Sequence, residues 1–277
     1  MYLEEYRKAH QMGLKEAKVC QTRGGSPYLP VLDEILAAET TCGEADLGLV
    51  DIPMELIVGT RSAGRSQALS RSFLPLMEEG SEFAGKWVAL CKAHMEEGIN
   101  EPIKVYEYMH TFYVVEGHKR VSVLRYFGAV SIPAYVTRVL PVRDGSRASN
   151  IYYEYVDFYR LSGVNYLWFS AVGRFARLQA ALGKGAEEVW NEDDRRKFYS
   201  FYHSFSTLYG DKSAKELAGR MTTADAMLLY LDMFGYDEVK NYSQAQLKSG
   251  FLQLHEAFSV KKKALQDLNP LKGLLGR

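Results

Sequence analysis

Apolar residues recur at helical spacing from Phe83 to Met95, with Phe83, Trp87, Leu90, Cys91, His94 and Met95 on one stripe, Ser81 at the N-cap and Gly98 at the stop. This pattern predicts a helix packed on a sheet, with His94 in the core. Two β-rich runs, Ile103 to Tyr108 and Phe112 to Val115, are separated only by Met109, His110 and Thr111, the spacing of a hairpin. Lys119 to Phe127 reads as a second helix closed by Gly128, and Ile132 to Val139 returns as a strand of β-branched and aromatic residues. Upstream, residues 2–20 read as a polar helix ended by Gly24-Gly25-Ser26-Pro27. A short strand is predicted around Val50 to Leu56, with Pro53 at an edge position, and then a loop from Gly59 to Ser66. The order strand, helix, hairpin, helix, strand describes a small α+β domain.

Past Pro141 strand signals vanish and aromatic-rich helical periodicity takes over, with breaks near Gly163, Gly183 to Gly185, Gly210, Gly235 and Gly250. The expected fold class is therefore α+β: a small mixed domain followed by an all-α helical domain. Its expected divisions are a helical arm and acidic segment at 1–48, the mixed domain at 49–141, the helical domain at 142–260 and a basic tail or linker at 261–277. Within the helical part, Ser213 to Ala226 has the look of a helix-turn-helix. Its second helix offers mostly Ala, Met, Leu and Tyr, which fits a buried pair better than base recognition. Tyr152, Tyr155, Phe158, Tyr159, Tyr166, Trp168 and Phe169 fall at the spacing of a core or an oligomer interface.

Composition narrows the function classes. In 277 residues, 34 Lys and Arg balance 34 Asp and Glu, so no global field draws the chain to a polyanion and any DNA contact has to be local. Cys20, Cys42 and Cys91 lie far apart with no metal-ligand spacing, so no metal site is expected from them and a reducing cytoplasm fits. No run of eighteen apolar residues occurs, and acids follow Met1 where a signal peptide carries bases, so no membrane partner is expected.

Charge is unevenly placed within that balance. Residues 33–55 hold seven acids and no base, and are expected to form a solvated face. Gly117 to Arg143 holds five bases and no acid, namely Lys119, Arg120, Arg125, Arg138 and Arg143, while Leu56 to Met77 holds Arg61, Arg65 and Arg71 and no acid. Both segments border glycine-containing loops at element ends. A turn that opens a helix presents backbone N–H groups and the positive dipole end, so phosphate is a natural guest. Pairing of these bases with the acidic 33–55 stretch explains them equally well from spacing alone.

The run Ile103 to Val139, with a hairpin, Gly117-His118-Lys119-Arg120 opening a helix, a glycine and a final Ile-Pro strand, resembles the second half of a domain of the ParB/sulfiredoxin superfamily. The resemblance reaches back to Ile52 and covers about a third of the chain. It implies phosphate contacts from Gly117, His118, Lys119 and Arg120, with Arg65 approaching from the first loop, and as cofactor a nucleoside triphosphate or diphosphate with Mg2+. His118 stands where a sulfiredoxin has its reactive cysteine and where ParB proteins proper have glutamate, so neither the thiolate nor that carboxylate is present. The whole chain also resembles the N-terminal half of longer bacterial proteins whose remainder is a basic-membrane-protein-type solute-binding domain.

Three functions follow as expectations. One is a ParB-like nucleotide- or DNA-binding regulatory protein that contacts DNA through local basic patches and self-associates through its helical part. Another is a nucleotide-dependent phosphotransferase or nuclease with Glu116, beside the turn, as general base. The last is a non-catalytic binding module of a larger protein.

Overall fold

A computed structural model describes the backbone of residues 1–210 and 221–267, with the side chains of Arg65, His255 and residues 257–267 outside the described set. The chain is a mixed α/β protein that divides into two compact units, Met1–Asp144 and Gly145–Arg277.

The first unit opens with helices α1 (Tyr2–Thr22) and α2 (Leu32–Leu36), then strands β1 (Thr41–Pro53) and β2 (Ile57–Thr60) and a 3-10 turn at Ala63–Ala68. Helix α3 (Glu82–Glu96), the hairpin β3 (Ile103–Tyr108) and β4 (Thr111–Glu116), helix α4 (His118–Tyr126) and strand β5 (Ser131–Pro141) complete it. The strands form one mixed sheet in the order β1-β5-β3-β4-β2, antiparallel between β1 and β5 and between β3 and β4, parallel at the other two junctions.

One face of the sheet carries Ile52, Ile103, Val105, Val114, Ile132, Ala134 and Val136, which pack against Leu69, Phe73 and the α4 residues Val121 and Leu124. On its other side α4 turns Val123 toward Trp87 and Cys91 of α3 and toward Tyr6 and Ala9 of α1. Residues 121 to 124 are thus buried on both flanks, and the buried Ser122 hydroxyl is matched by the Trp87 indole N–H at 2.9 Å. On the opposite sheet face Leu32 of α2 covers Tyr108, Tyr113 and Val139.

Three expectations about this unit change. The acidic stretch is exposed, and it is also a strand: β1 runs thirteen residues at the sheet edge, far longer than the expected Val50 to Leu56 run. Its first four residues are exposed, and a register shift between Asp46 and Gly48 separates the inward Leu47 from the inward Val50 and Ile52, so the sequence shows no sustained period of two. The expected loop at Gly59 begins inside β2, whose Gly59 must be glycine because a Cβ there would lie 2.3 Å from the Pro30 carbonyl oxygen. Of the helical stripe, Trp87 and Cys91 are fully buried and Phe83 and Leu90 pack against the core, whereas Met95 is exposed and His94 is half-buried, its ring 5.0 Å from that of Phe127.

The hairpin turn is Met109-His110, both with positive φ (50° and 66°), a conformation that usually selects Asn-Gly. The Glu107 carboxylate holds it by accepting from the His110 N–H at 2.7 Å, and Glu107 also pairs with Arg138, its register neighbour on β5. Both charged side chains are almost wholly buried.

Among the described residues the second unit contains helices and no strand: α5 (Arg147–Ser162), α6 (Arg174–Ala181), α7 (Glu192–Gly210), α8 (Thr223–Phe234), α9 (Tyr236–Val239) and α10 (Gln244–Asp267). Its core is aromatic, with Tyr152, Tyr155, Phe169, Trp190, Phe198, Phe205 and Tyr230 all nearly inaccessible. Residues 213–220, the first part of the helix-turn-helix reading, lie outside the described residues. The second part, α8, buries most of its length, and Asp225 within it is an internal partner of Arg174 and of the Ser170 N–H. Gly250 does not break α10. It lets the helix meet Tyr230, whose hydroxyl would lie 2.3 Å from an added Cβ. The same helix continues through Lys261 to Asp267, so the first part of the expected tail is helical, and residues 268–277 lie outside the described set.

Candidate functional site

Helix α4 begins at His118 because Gly117 takes a left-handed conformation (φ 104°) that reverses the chain at the end of β4. The fit is tight, since a Cβ on residue 117 would meet Ile103 Cγ2 at 2.4 Å. The first helical bond runs from the Val121 N–H to the Gly117 carbonyl at 3.0 Å, so the N–H groups of residues 118–120 precede the helical ladder and carry the positive end of its dipole. Gly117 supplies no side-chain cap.

A cleft of about 200 Å³ opens over this turn. Glu116, Gly117, His118, Lys119 and Arg120 form one wall, and Ala68, Leu69, Phe83 and Leu90 form the other. Drug-sized ligands occupy roughly 300–1,000 Å³, so this volume suits a phosphate and part of the group attached to it.

Each expected site residue has a defined place. His118 Nε2 and the Thr60 hydroxyl share a hydrogen bond of 2.9 Å, with the Ser62 carbonyl 3.2 Å from the same hydroxyl. His118 thereby fixes the turn to β2. Lys119 extends across the apolar wall with its ammonium 5.0 Å from the centre of the Phe83 ring. Arg120 donates to the Pro102 carbonyl at 2.6 Å and pairs with Glu101 at 3.2 Å, lashing α4 to the start of β3. Arg65 has its backbone in the 3-10 turn that also supplies Ala68, and its side chain lies outside the described set.

Glu116 pairs with Lys104 directly across the hairpin at 2.9 Å, rather than with Lys119 or Arg120. The hydrogen bond and charge of Lys104 hold its carboxyl below the usual range. A general base works best with a pKa near the operating pH, so this pairing disfavours Glu116 in that role.

The positive charge that marked the two segments is largely consumed by the fold. Arg138 is buried against Glu107. Arg125 donates to the carbonyls of Met54 and Ile57 and lies over Phe73, and burial pushes its pKa down. Arg61 pairs with Asp33 at 2.7 Å, so a base of these segments does reach the acidic stretch, and it stacks on Tyr106 at 4.1 Å. Lys119 and Arg120 are left at the cleft. The apolar wall was missed in the sequence; its signal was that Phe83 and Leu90 sit at the margin of the α3 stripe, beside the residues that enter the core.

No group of three His, Cys, Asp or Glu side chains that could hold a metal occurs among the described residues, and none of the described helices is long and apolar enough to cross a membrane. No protein-family model matches the chain, and no curated protein matches it.

Proposed function

We propose that this chain is a ParB-like regulatory protein that binds a nucleotide by its phosphates at the Gly117–Arg120 turn. The observation that carries the reading is the open N-terminus of α4, set by the left-handed Gly117 at the floor of a cleft with Lys119 along its wall. Backbone N–H groups and the dipole would take the phosphate oxygens, and Lys119 would add a charge-assisted bond. His118 and Arg120 would act by holding the turn to β2 and β3. Mg2+ would be carried in with the phosphates, because this ion is bound chiefly through substrate phosphates and its own waters. Binding and regulation are favoured over phosphoryl transfer because Lys104 draws the pKa of Glu116, the candidate base, further below the operating pH.

The test is a thermal-shift and calorimetric panel of CTP, ATP, ADP and GTP with Mg2+. A ligand at a hundredfold excess over its Kd stabilises by about 2.7 kcal/mol. One nucleotide should therefore shift the unfolding of residues 1–144, and Lys119→Ala should weaken that shift. Absence of a shift with every nucleotide at millimolar concentration removes the proposal. DNA is the second partner implied by the ParB-like reading. Binding to a duplex should then fall steeply with salt, and a salt-insensitive or absent anisotropy change excludes it.

A further inference from the structure

The two edges of the sheet are finished differently. Along β2 the segment before α2 covers the edge: the Thr60 N–H donates to the Pro30 carbonyl at 2.9 Å, and Val31 forms a bridge with Thr60. At the other edge no strand pairs with the outer side of β1 among the described residues, although β1, with thirteen residues, is the longest strand of the sheet. Long edges are ordinarily blunted by lysine, proline, irregular pairing or a covering segment. β1 has no lysine, its proline is its last residue, and its register shifts all precede Gly48. From Gly48 to Pro53 it pairs with β5 without interruption.

The ladder itself says which groups face outward. The Met54 N–H donates to the Val130 carbonyl at 3.0 Å, and Pro133, opposite Asp51, has no N–H to give. Hydrogen-bonded and non-hydrogen-bonded positions alternate in an antiparallel pair, so Val50 and Ile52 exchange bonds with Ala134 and Ile132. Leu49 and Asp51 then turn their N–H and C=O groups to the outer side. Glu44, Asp46, Leu49 and Asp51 lie opposite Val139, Thr137, Tyr135 and Pro133, alternate residues of β5, and so share one face of the sheet, whereas Val50 and Ile52 face the core. The three acids and Leu49 are exposed, and β1 holds no base. In strand addition, main-chain bonds give a peptide its affinity and the flanking side chains give it specificity. A second copy of β1 would crowd carboxylates against carboxylates, which destabilises a strand pair. We infer that the β1 edge takes up an extended basic peptide from a partner protein as a sixth strand, with Lys or Arg beside Glu44, Asp46 and Asp51 on one face and β-branched apolar residues beside Val50 and Ile52 on the other. None of these residues lines the cleft at α4, so the surface is distinct from the phosphate turn.

Three labelled peptides test the inference on the full chain by fluorescence anisotropy: acetyl-Lys-Val-Lys-Val-Lys-Val-Lys-amide, its counterpart with Glu for every Lys, and the Lys peptide with every backbone nitrogen methylated. The Lys peptide should bind about tenfold or more tightly than the Glu peptide, because opposite charges support a strand pair and like charges oppose it. The methylated peptide keeps the charge but cannot form the ladder, and should not bind. Glu44→Lys combined with Asp51→Lys should reverse the preference between the Lys and Glu peptides, with the circular dichroism unchanged because both side chains are exposed. Asp46 is left in place in that variant, since it accepts the Gly48 N–H at 2.9 Å. Amide hydrogen exchange locates the site: the Val50 N–H should be protected in the free protein, and the Leu49 N–H should slow by about tenfold or more only with the Lys peptide. Equal affinity for the Lys and Glu peptides, equal binding of the methylated peptide, no binding at millimolar concentration, or unchanged exchange at Leu49 each overturns the inference. Protection of Leu49 in a concentration-dependent dimer of the free chain overturns it too, by giving the edge to a second copy.

Discussion

Replacing Gly117 by alanine tests the local basis of the site. An L-residue at φ 104° lies outside its allowed regions, a strain on the order of 1–3 kcal/mol. The new Cβ would also fall 2.4 Å from Cγ2 and 2.9 Å from Cβ of Ile103, and overpacking of that kind costs about 1–3 kcal/mol more. Gly117→Ala should therefore destabilise residues 1–144 by roughly 2–6 kcal/mol, a large part of an ordinary domain's stability. The steric share can be isolated. Ile103→Ala removes Cγ2 at its own expense of about 2–5 kcal/mol, and the double variant should be more stable than the sum of the singles by about 1–3 kcal/mol. Trp87 is the only tryptophan before residue 145, so urea unfolding of 5-fluorotryptophan protein, followed by its fluorine resonance, reads this unit alone. Additivity within about 0.5 kcal/mol would show that Ile103 does not press on the turn, and a Gly117→Ala variant as stable as the parent would refute the left-handed geometry itself.

The buried pair offers a second test by the same fluorine assay. Arg138→Met should lower stability by about 3–5 kcal/mol because it strands the Glu107 carboxylate, and adding Glu107→Gln should recover much of that loss while still accepting from the His110 N–H. In the helical unit, Gly250→Ala should cost about 1–3 kcal/mol by pushing α10 off Tyr230, with partial recovery in Tyr230→Phe, and a neutral Gly250→Ala would contradict the close approach. Asp225 provides a pH signature. Burial opposes its ionisation, but hydrogen bonds from Ser170 and Arg174 outweigh burial and leave its pKa below the ordinary value. A carboxylate depressed in the folded state stabilises above its unfolded pKa, so this contribution is complete above about pH 4 and is lost as the pH falls through the folded value. The parent should lose stability below about pH 4 more steeply than Asp225→Asn, and parallel profiles would exclude the coupling.

How far the sequence discloses this protein depends on how local the determining physics is. Helix α4 is bounded by Gly117 and Gly128, and the hairpin by two β-rich runs a few residues apart, so both are set by neighbours in the chain and can be read there. Strand β1 pairs with β5, about ninety residues away; its first four residues are exposed and a register shift between Asp46 and Gly48 separates Leu47 from the inward Val50 and Ile52, so no sustained alternation betrays it. The same distinction governs the site. Gly117 followed by Lys119 and Arg120 marks the candidate turn locally, whereas Phe83, Leu90 and Leu69 join it in lining the cleft only after α3 packs on α4.

Charge misled for the same reason. Counting bases between Gly117 and Arg143 suggests one positive surface, yet Arg138 faces Glu107 because β3 and β5 run parallel in that register, and Arg125 is turned inward to the carbonyls that follow β1. A basic residue costs least to bury where the chain already offers a carboxylate or a carbonyl, and only the folded topology says where those are. Lys119 and Arg120 differ from Arg125 and Arg138 because the helix that carries them begins at the cleft and then runs inward, leaving its first turn outside the two layers that bury residues 121 to 124. Position along α4, more than the number of bases around it, is what places Lys119 and Arg120 at the cleft.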